Sequence, residues 1–287
     1  MIAKKTTLLW AVLGATLLAA RANAQPQTEP EGEAKPAAGD TGTDGAAQLT
    51  LPKGRLVLDV FVPIGLSTGA AFKPISISPD VWYGATPDLT VGLVHSSVGA
   101  SGFIGGVGTS LCLSGTANGC PDVYRGFGLD ARYKLKTGMF AWAADGGLFF
   151  SHLSDPLLLS LKLGAVGRWE SGKLAVELQP NLFIGVTNRS QTVAMVDVTT
   201  NPDILSIPVT VLYAVTPMIS VSGQVGVSLP LENAGDNYAI PLSIGGHYHV
   251  NESLNVTLAF SLLRLAAGAD PKGFDARSLT LGGTYAF

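Results

Sequence analysis

From Gly54 to Phe287, apolar and polar residues alternate in short blocks divided by turn-forming residues. In residues 55–67, Leu56, Leu58, Val60, Val62, Ile64 and Leu66 share one side of an extended chain, and Arg55, Val57, Asp59, Phe61, Pro63, Gly65 and Ser67 share the other. Successive side chains of a strand point to opposite faces, so this alternation predicts a strand with one wholly apolar face. The same pattern sets Leu157, Leu159, Leu161, Leu163 and Ala165 against Ser160, Lys162, Gly164 and Arg168. It also sets Leu174, Val176, Leu178, Leu182 and Ile184 against Lys173, Glu177, Gln179 and Asn181. Twelve such segments are predicted, centred on residues 55–67, 76–85, 89–97, 124–135, 139–153, 157–169, 173–186, 204–215, 218–229, 238–250, 254–265 and 277–287.

The connections alternate in length. Thr86-Pro87-Asp88, Lys136-Thr137-Gly138, Ser171-Gly172, Thr216-Pro217 and Asn251-Glu252-Ser253 are tight turns, whereas 98–123 and 187–202 are long. An even number of strands with short turns on one side and long loops on the other predicts an all-β, antiparallel, up-and-down transmembrane β-barrel of twelve strands, with both termini on the periplasmic side. The large apolar face must then point outward to lipid and the small polar face inward. A soluble sandwich or barrel needs the reverse composition. Only 14% of the residues are charged, too few to cover a water-facing exterior. Mean hydropathy is +0.34, yet beyond residue 24 no run approaches the ~20 apolar residues of a spanning helix. Closed barrels are the other structure that satisfies every backbone group in lipid.

Aromatics add an in-phase repeat. Tyr83, Tyr133, Trp169, Tyr213, Tyr248 and Tyr285 each fall on the apolar face shortly before a tight turn or the chain end, as an interfacial girdle requires, with Phe140 and Trp142 beside them. Arg264 and Arg277 fall outward at the opposite end, at the depth of lipid headgroups.

The N-terminus reads differently. Lys4 and Lys5, an apolar run over residues 8–20 and Ala22-Asn23-Ala24 form a secretory signal, residues 1–24. Residues 25–53, rich in Pro, Gly, Ala and acidic residues, are expected to be a disordered periplasmic leader before the barrel of residues 54–287. In an oxidising compartment the two cysteines, Cys112 and Cys120, are expected to pair.

With 18 basic and 21 acidic residues the chain carries no polyanion-binding excess, and no nucleic-acid, phosphate-loop or cofactor motif is present. His247 and His249 are spaced to share a metal but have no third ligand on their strand, so no metal is assigned. The inner face gathers Arg55, Arg132, Lys134, Lys162, Arg168 and Lys173 against Asp59, Asp80, Asp130, Asp145 and Glu177, a mixed lining suited to internal ion pairs or a weakly selective aqueous path. Twelve strands at ~4.8 Å spacing and ~40° tilt give a radius on the order of 12 Å. The loop 98–123 is either a constriction or plug of that lumen or a surface loop braced by the disulfide.

The last strand, Ser278-Leu279-Thr280-Leu281-Gly282-Gly283-Thr284-Tyr285-Ala286-Phe287, resembles the terminal signal of bacterial outer-membrane β-barrel proteins. That resemblance is architectural and implies recognition of Phe287 by the barrel-assembly machinery and a place among outer-membrane lipids; the function expected from the lumen is a passive or weakly selective pore with small solutes as its partners. His95-Ser96-Ser97-Val98-Gly99 resembles the His-x-Ser-Asn-Gly motif of outer-membrane phospholipase A, with Val98 at the Asn position, and more loosely the His-x-Ser of lipid A deacylases. It implies a lipid hydrolase using His95 and Ser97 on the lipid-facing side. A closed structural or adhesin-like barrel is the third reading.

Overall fold

The computed structural model describes residues 49–287 apart from 68–71, 107–110, 121, 155, 194–195 and 233. The expected signal peptide and the leader up to residue 48 lie outside the described residues. Among the described residues there are sixteen strands: β1 (Leu56–Gly65), β2 (Ser76–Thr86), β3 (Leu89–Val94), β4 (Leu111–Cys112), β5 (Phe127–Lys136), β6 (Phe140–His152), β7 (Leu158–Ser171), β8 (Leu174–Leu178), β9 (Asn181–Gly185), β10 (Ser190–Val193), β11 (Val196–Thr199), β12 (Ile204–Ala214), β13 (Ile219–Pro230), β14 (Ala239–His249), β15 (Leu254–Ala267) and β16 (Arg277–Ala286).

Twelve of the predicted segments are the twelve staves of a closed antiparallel barrel. β1 pairs with β2 on one side and with β16 on the other, in register from Val57 opposite Ala286 to Gly65 opposite Ser278, so no free edge remains. β8 and β9 form one stave, broken where Pro180 has no N–H to give the ladder. Both parts still pair with β7 and β12, and Gln179 and Asn181 stay buried on the inner side. β4 and the β10–β11 hairpin belong to the two long loops. No helix of the described residues is long and apolar enough to cross a membrane, which says nothing of a β-barrel.

The two faces divide as the alternation requires. Leu129, Leu148, Leu163, Val221, Ile244, Leu258 and Leu281 are exposed on the outside, while Ser76, Ser78, Ser206, Gln224, Ser243, Ser261 and Ser278 are buried inside. This inversion of a soluble protein fits an apolar solvent. The aromatics form a ring at the tight-turn end. Each of the six stands across from an apolar residue at or near the start of a neighbouring strand: Leu56–Tyr83, Leu89–Tyr133, Phe140–Trp169, Leu174–Tyr213, Ile219–Tyr248 and Leu254–Tyr285. Tyr285 also meets Phe287, ring centroids 4.7 Å apart, where the chain end closes the circle.

One strand boundary differs from expectation. The third strand ends at Val94, not near Ser97, because Ser96 caps a short helix. Among the described residues, Leu49 and Leu51, both within the expected leader 25–53, reach into the barrel. They are the first large apolar side chains after the leader's polar stretch, and both find apolar partners there.

Candidate solute path and its constriction

After Val94 the chain turns into the barrel. Asp80 on β2 drives the turn: its Oδ1 accepts from the backbone N–H groups of His95 (2.6 Å) and Ser96 (2.8 Å), and its Oδ2 accepts from the Ser96 hydroxyl. Ser96 Oγ in turn accepts from Gly99 N at 2.9 Å, capping the helix Ser97–Ser101, which ends on Gly102 at φ 82°. The segment 96–106 then lies across the lumen as a strap. The Ser101 carbonyl accepts from Asn181 Nδ2 and Ser206 Oγ, both at 3.4 Å. Gln224 grips the strap twice, donating to the Gly102 carbonyl at 2.7 Å and accepting from Ile104 N at 2.9 Å. Ser243 Oγ donates to the Ile104 carbonyl (3.4 Å) and Ser278 Oγ to the Gly105 carbonyl (3.0 Å). Inward side chains of β2, β9, β12, β13, β14 and β16 thus satisfy the strap's buried backbone, as any buried loop requires. Gly105 has to be glycine: its φ is 104°, and an added Cβ would sit 2.6 Å from Ser261 Cβ.

This arrangement separates His95 from Ser97. His95 Nδ1 lies 2.5 Å from the Pro79 carbonyl and Nε2 lies 3.1 Å from the Tyr124 hydroxyl. Ser97 Oγ, in the helix rather than on a lipid-facing strand, accepts from Gly106 N at 3.1 Å. The expected outward His-Ser pair is therefore corrected: Asp80 and Ser96 bend the chain before Ser97 can continue the strand's alternation, and the Ser97 hydroxyl braces the strap.

The expected lumen charges fall into three groups. Lys162 is fully buried and pairs with Asp130 (2.7 Å) and Asp145 (2.9 Å), both carboxylates also buried, so these three form an internal cluster instead of a wetted lining. Arg168, 5% exposed at its side chain, pairs with Glu170 at 2.6 Å and is likewise withdrawn. Lys134 bonds Asp88 at 2.6 Å and the Pro87 carbonyl at 2.9 Å at the tight-turn rim, and Lys173 stands exposed beside its turn. Asp59, Asp80, Arg132 and Glu177 do line open space. Arg55, on the same inner side of the chain before β1, has a buried Nε without a hydrogen-bond partner.

That space is a chamber of about 290 Å³ between the strap and the tight-turn end. Val98, Gly99, Gly102 and Ile104 of the strap border it on one side. Leu49, Thr50, Leu51 and Pro52 border it on the other. Leu49 packs against inward Ala141, Ala143 and Val166, Leu51 packs by the Val57–Trp82 cluster, and Leu51 N donates to Thr90 Oγ1 at 2.7 Å. The lumen is thus narrowed at two levels by the chain itself. Sequence reasoning missed Gln224, Ser96 and the Leu49–Pro52 segment. It also took the inner wall as mostly small beyond Phe61, whereas Trp82, Phe149 and Phe183 also lie inside. His247, read as a possible metal ligand, sits 3.0 Å from Thr257 Oγ1 and 2.9 Å from Ser222 Oγ, a hydroxyl bridge in the chamber wall.

At the long-loop end Cys112 and Cys120 form the expected disulfide, Cα atoms 6.2 Å apart. β4, which contains Cys112, pairs antiparallel with the start of β2. The loop between β9 and β12 is tied to the loop after β13: Arg189 pairs with Asp203 at 2.8 Å and Glu232 at 2.7 Å, and its hydrogen bonds hold the Asp203 carboxyl below its ordinary pKa. Arg277 Nε donates to the Leu66 carbonyl at 2.8 Å, so this cation closes the β1–β16 seam at that rim.

No protein-family model and no curated protein sequence matches the chain. Solved structures do. A NanC porin is similar at 11% identity, covering 79% of this chain and 98% of its own, with a TM-score of 0.55. The COG4313 outer membrane channel from Pseudomonas putida F1 is similar at 16% identity, covering 85% of this chain and 100% of its own, with a TM-score of 0.54. At these identities the likeness is one of fold, that of an outer-membrane β-barrel.

Proposed function

We propose that the chain is a bacterial outer-membrane channel, a passive and weakly selective path for small solutes. The observation that carries this reading is the lumen itself: an inner wall of hydroxyls, amides and a few charges that leaves a chamber of about 290 Å³. Barrels of eight strands are filled by their side chains, whereas wider ones leave room for solute. The strap that narrows the path is held to the wall by individual hydrogen bonds, each worth roughly 0.5–1.5 kcal/mol net, and such a closure yields far more readily than a packed core. The two similar structures, one a porin and the other an outer membrane channel, agree with this use of the fold.

In this reading the tight-turn end and both termini face the periplasm, the aromatic ring sits at the inner interface, and Phe287 serves recognition by the assembly machinery. The apolar outer face meets membrane lipid. The enzyme reading gains nothing from the separated His95 and Ser97. Liposomes carrying the purified mature chain should swell in isotonic arabinose faster than protein-free liposomes, and much more slowly in the trisaccharide raffinose. Equal, background-level swelling in both sugars would count against a solute path and favour a closed barrel.

A further inference from the structure

The chamber wall is unbalanced in charge. Asp59, Asp80 and Glu177 line it, and Arg132 is the single lysine or arginine among its described lining residues. Arg132 is already engaged: it lies over the Trp82 ring at 5.1 Å and faces Asp145 at 3.8 Å. Asp59 and Asp80 stand directly opposite one another across β1 and β2, a like-charge pairing that is unfavourable by itself. Thr284 donates to Asp59 at 2.6 Å, and Asp80 holds the strap. Glu177 stands opposite Arg168 across β7 and β8, where Arg168 is paired with Glu170 at 2.6 Å, and of the lining cations Arg132 acts on it electrostatically while sharing that charge with Asp145, Asp130 and Asp59. A second observation is independent of charge: Thr280 lines the chamber, is 2% exposed, and its hydroxyl has no hydrogen-bond partner. Buried hydroxyls are normally met by a hydrogen-bond partner, so one left open toward a cavity is a place for a bound group to donate or accept. Thr210, Ser222 and Thr257 add hydroxyls around the same space, and Trp82 and Phe61 add flat apolar faces.

We infer that this chamber is a binding site for a small hydroxylated cation, a protonated amine carried on a polyol or a sugar ring. The ammonium satisfies Glu177 and the Asp59–Asp80 pair, the solute's hydroxyls meet Thr280 and its neighbours, and the ring lies against the aromatic faces. At ~30 Å³ per water, the chamber holds about ten waters' volume, the scale of a single sugar. An anion of the same size meets three carboxylates and a guanidinium already turned to Asp145. The inference deepens the channel reading and depends on it only for the route by which solute arrives.

The test is equilibrium binding of glucosamine, glucose and glucuronate to the purified mature chain in detergent, followed by titration calorimetry. The three rings are close in size and differ in charge. Glucosamine should bind saturably and about tenfold or more tighter than glucose, with glucuronate not binding. Glu177→Gln, which keeps shape and removes charge, should cost glucosamine about tenfold and leave glucose unchanged. Thr280→Val should weaken both. Equal binding of the three sugars, tighter glucuronate, no saturable glucosamine binding, or no effect of Glu177→Gln in a folded barrel would overturn the site. Charge-selective binding by a protein that fails the swelling test would overturn the channel reading and leave the site; swelling without binding would do the reverse.

Discussion

Gln224→Ala should raise the conductance of the protein in planar bilayers. Among the described residues Gln224 is the one side chain that both donates to and accepts from the strap, at Gly102 and Ile104, and a third bond to Thr210 Oγ1 at 2.9 Å fixes its orientation. Truncation leaves a carbonyl and an N–H of the strap unpaired against the wall. At roughly 1 kcal/mol net per bond, the strapped arrangement loses about 2 kcal/mol, or roughly thirtyfold in its population relative to a displaced one. Current at fixed voltage should rise several-fold, or brief openings should become sustained. Because Gln224 supports the strap and not the ladder, heat-modifiable mobility on gels should be unchanged. Unaltered current with an intact barrel would mean that the strap does not limit conduction.

The second large effect concerns stability. Lys162→Met keeps the length of the side chain and removes the cation between Asp130 and Asp145, which lie 2.7 and 2.9 Å from Nζ and are buried with it. Breaking a buried ion pair from one side leaves uncompensated charge and costs about 3–5 kcal/mol, whereas removing the carboxylates too is much milder. Lys162→Met should therefore lower the temperature at which the barrel unfolds in detergent, and Lys162→Met with Asp130→Asn should recover part of the loss. Arg132, 3.8 Å from Asp145, offers partial cover to the remaining carboxylate. A single variant as stable as the parent would show that the cluster is wetted. Charge reversal at Lys162, which parity alone puts on an aqueous path, is thus a stability experiment, and Glu177 is the position at which ion selectivity should respond.

The barrel was legible because period-two alternation is local. Lipid on one side and polar lumen on the other fix the face of every residue in a strand, so the twelve segments, the ring of aromatics from Tyr83 to Tyr285 and the disulfide could all be read from neighbouring residues. The strap was not legible because its partners are remote: Ile104 meets Gln224 across 120 positions and Gly105 meets Ser278 across 173. One local signal was available. Ser96 followed three residues later by Gly99, in a Ser- and Gly-rich run, is the start of a capped turn rather than the continuation of β3. Taking it would have separated His95 from Ser97 at once. Parity assigns Lys162 to the inner face, but it cannot tell an inner residue that water reaches from one the chain covers, as Lys162 is by Asp130 and Asp145. Nor can it say that two leucines at the end of a polar leader will turn into the lumen, as Leu49 and Leu51 do.

The most direct test asks whether current flows through the chamber. The native cysteines are paired and no free cysteine is among the described residues, so an introduced thiol can be addressed alone. Single variants Glu177→Cys, facing the chamber, and Leu129→Cys, exposed on the outer face, would be placed in planar bilayers and treated with a small cationic methanethiosulfonate. A channel through this lumen predicts that modification at position 177 cuts the current by roughly half or more, while modification at position 129 leaves it unchanged. Current that is insensitive at both positions, or equally sensitive at both, would contradict the path.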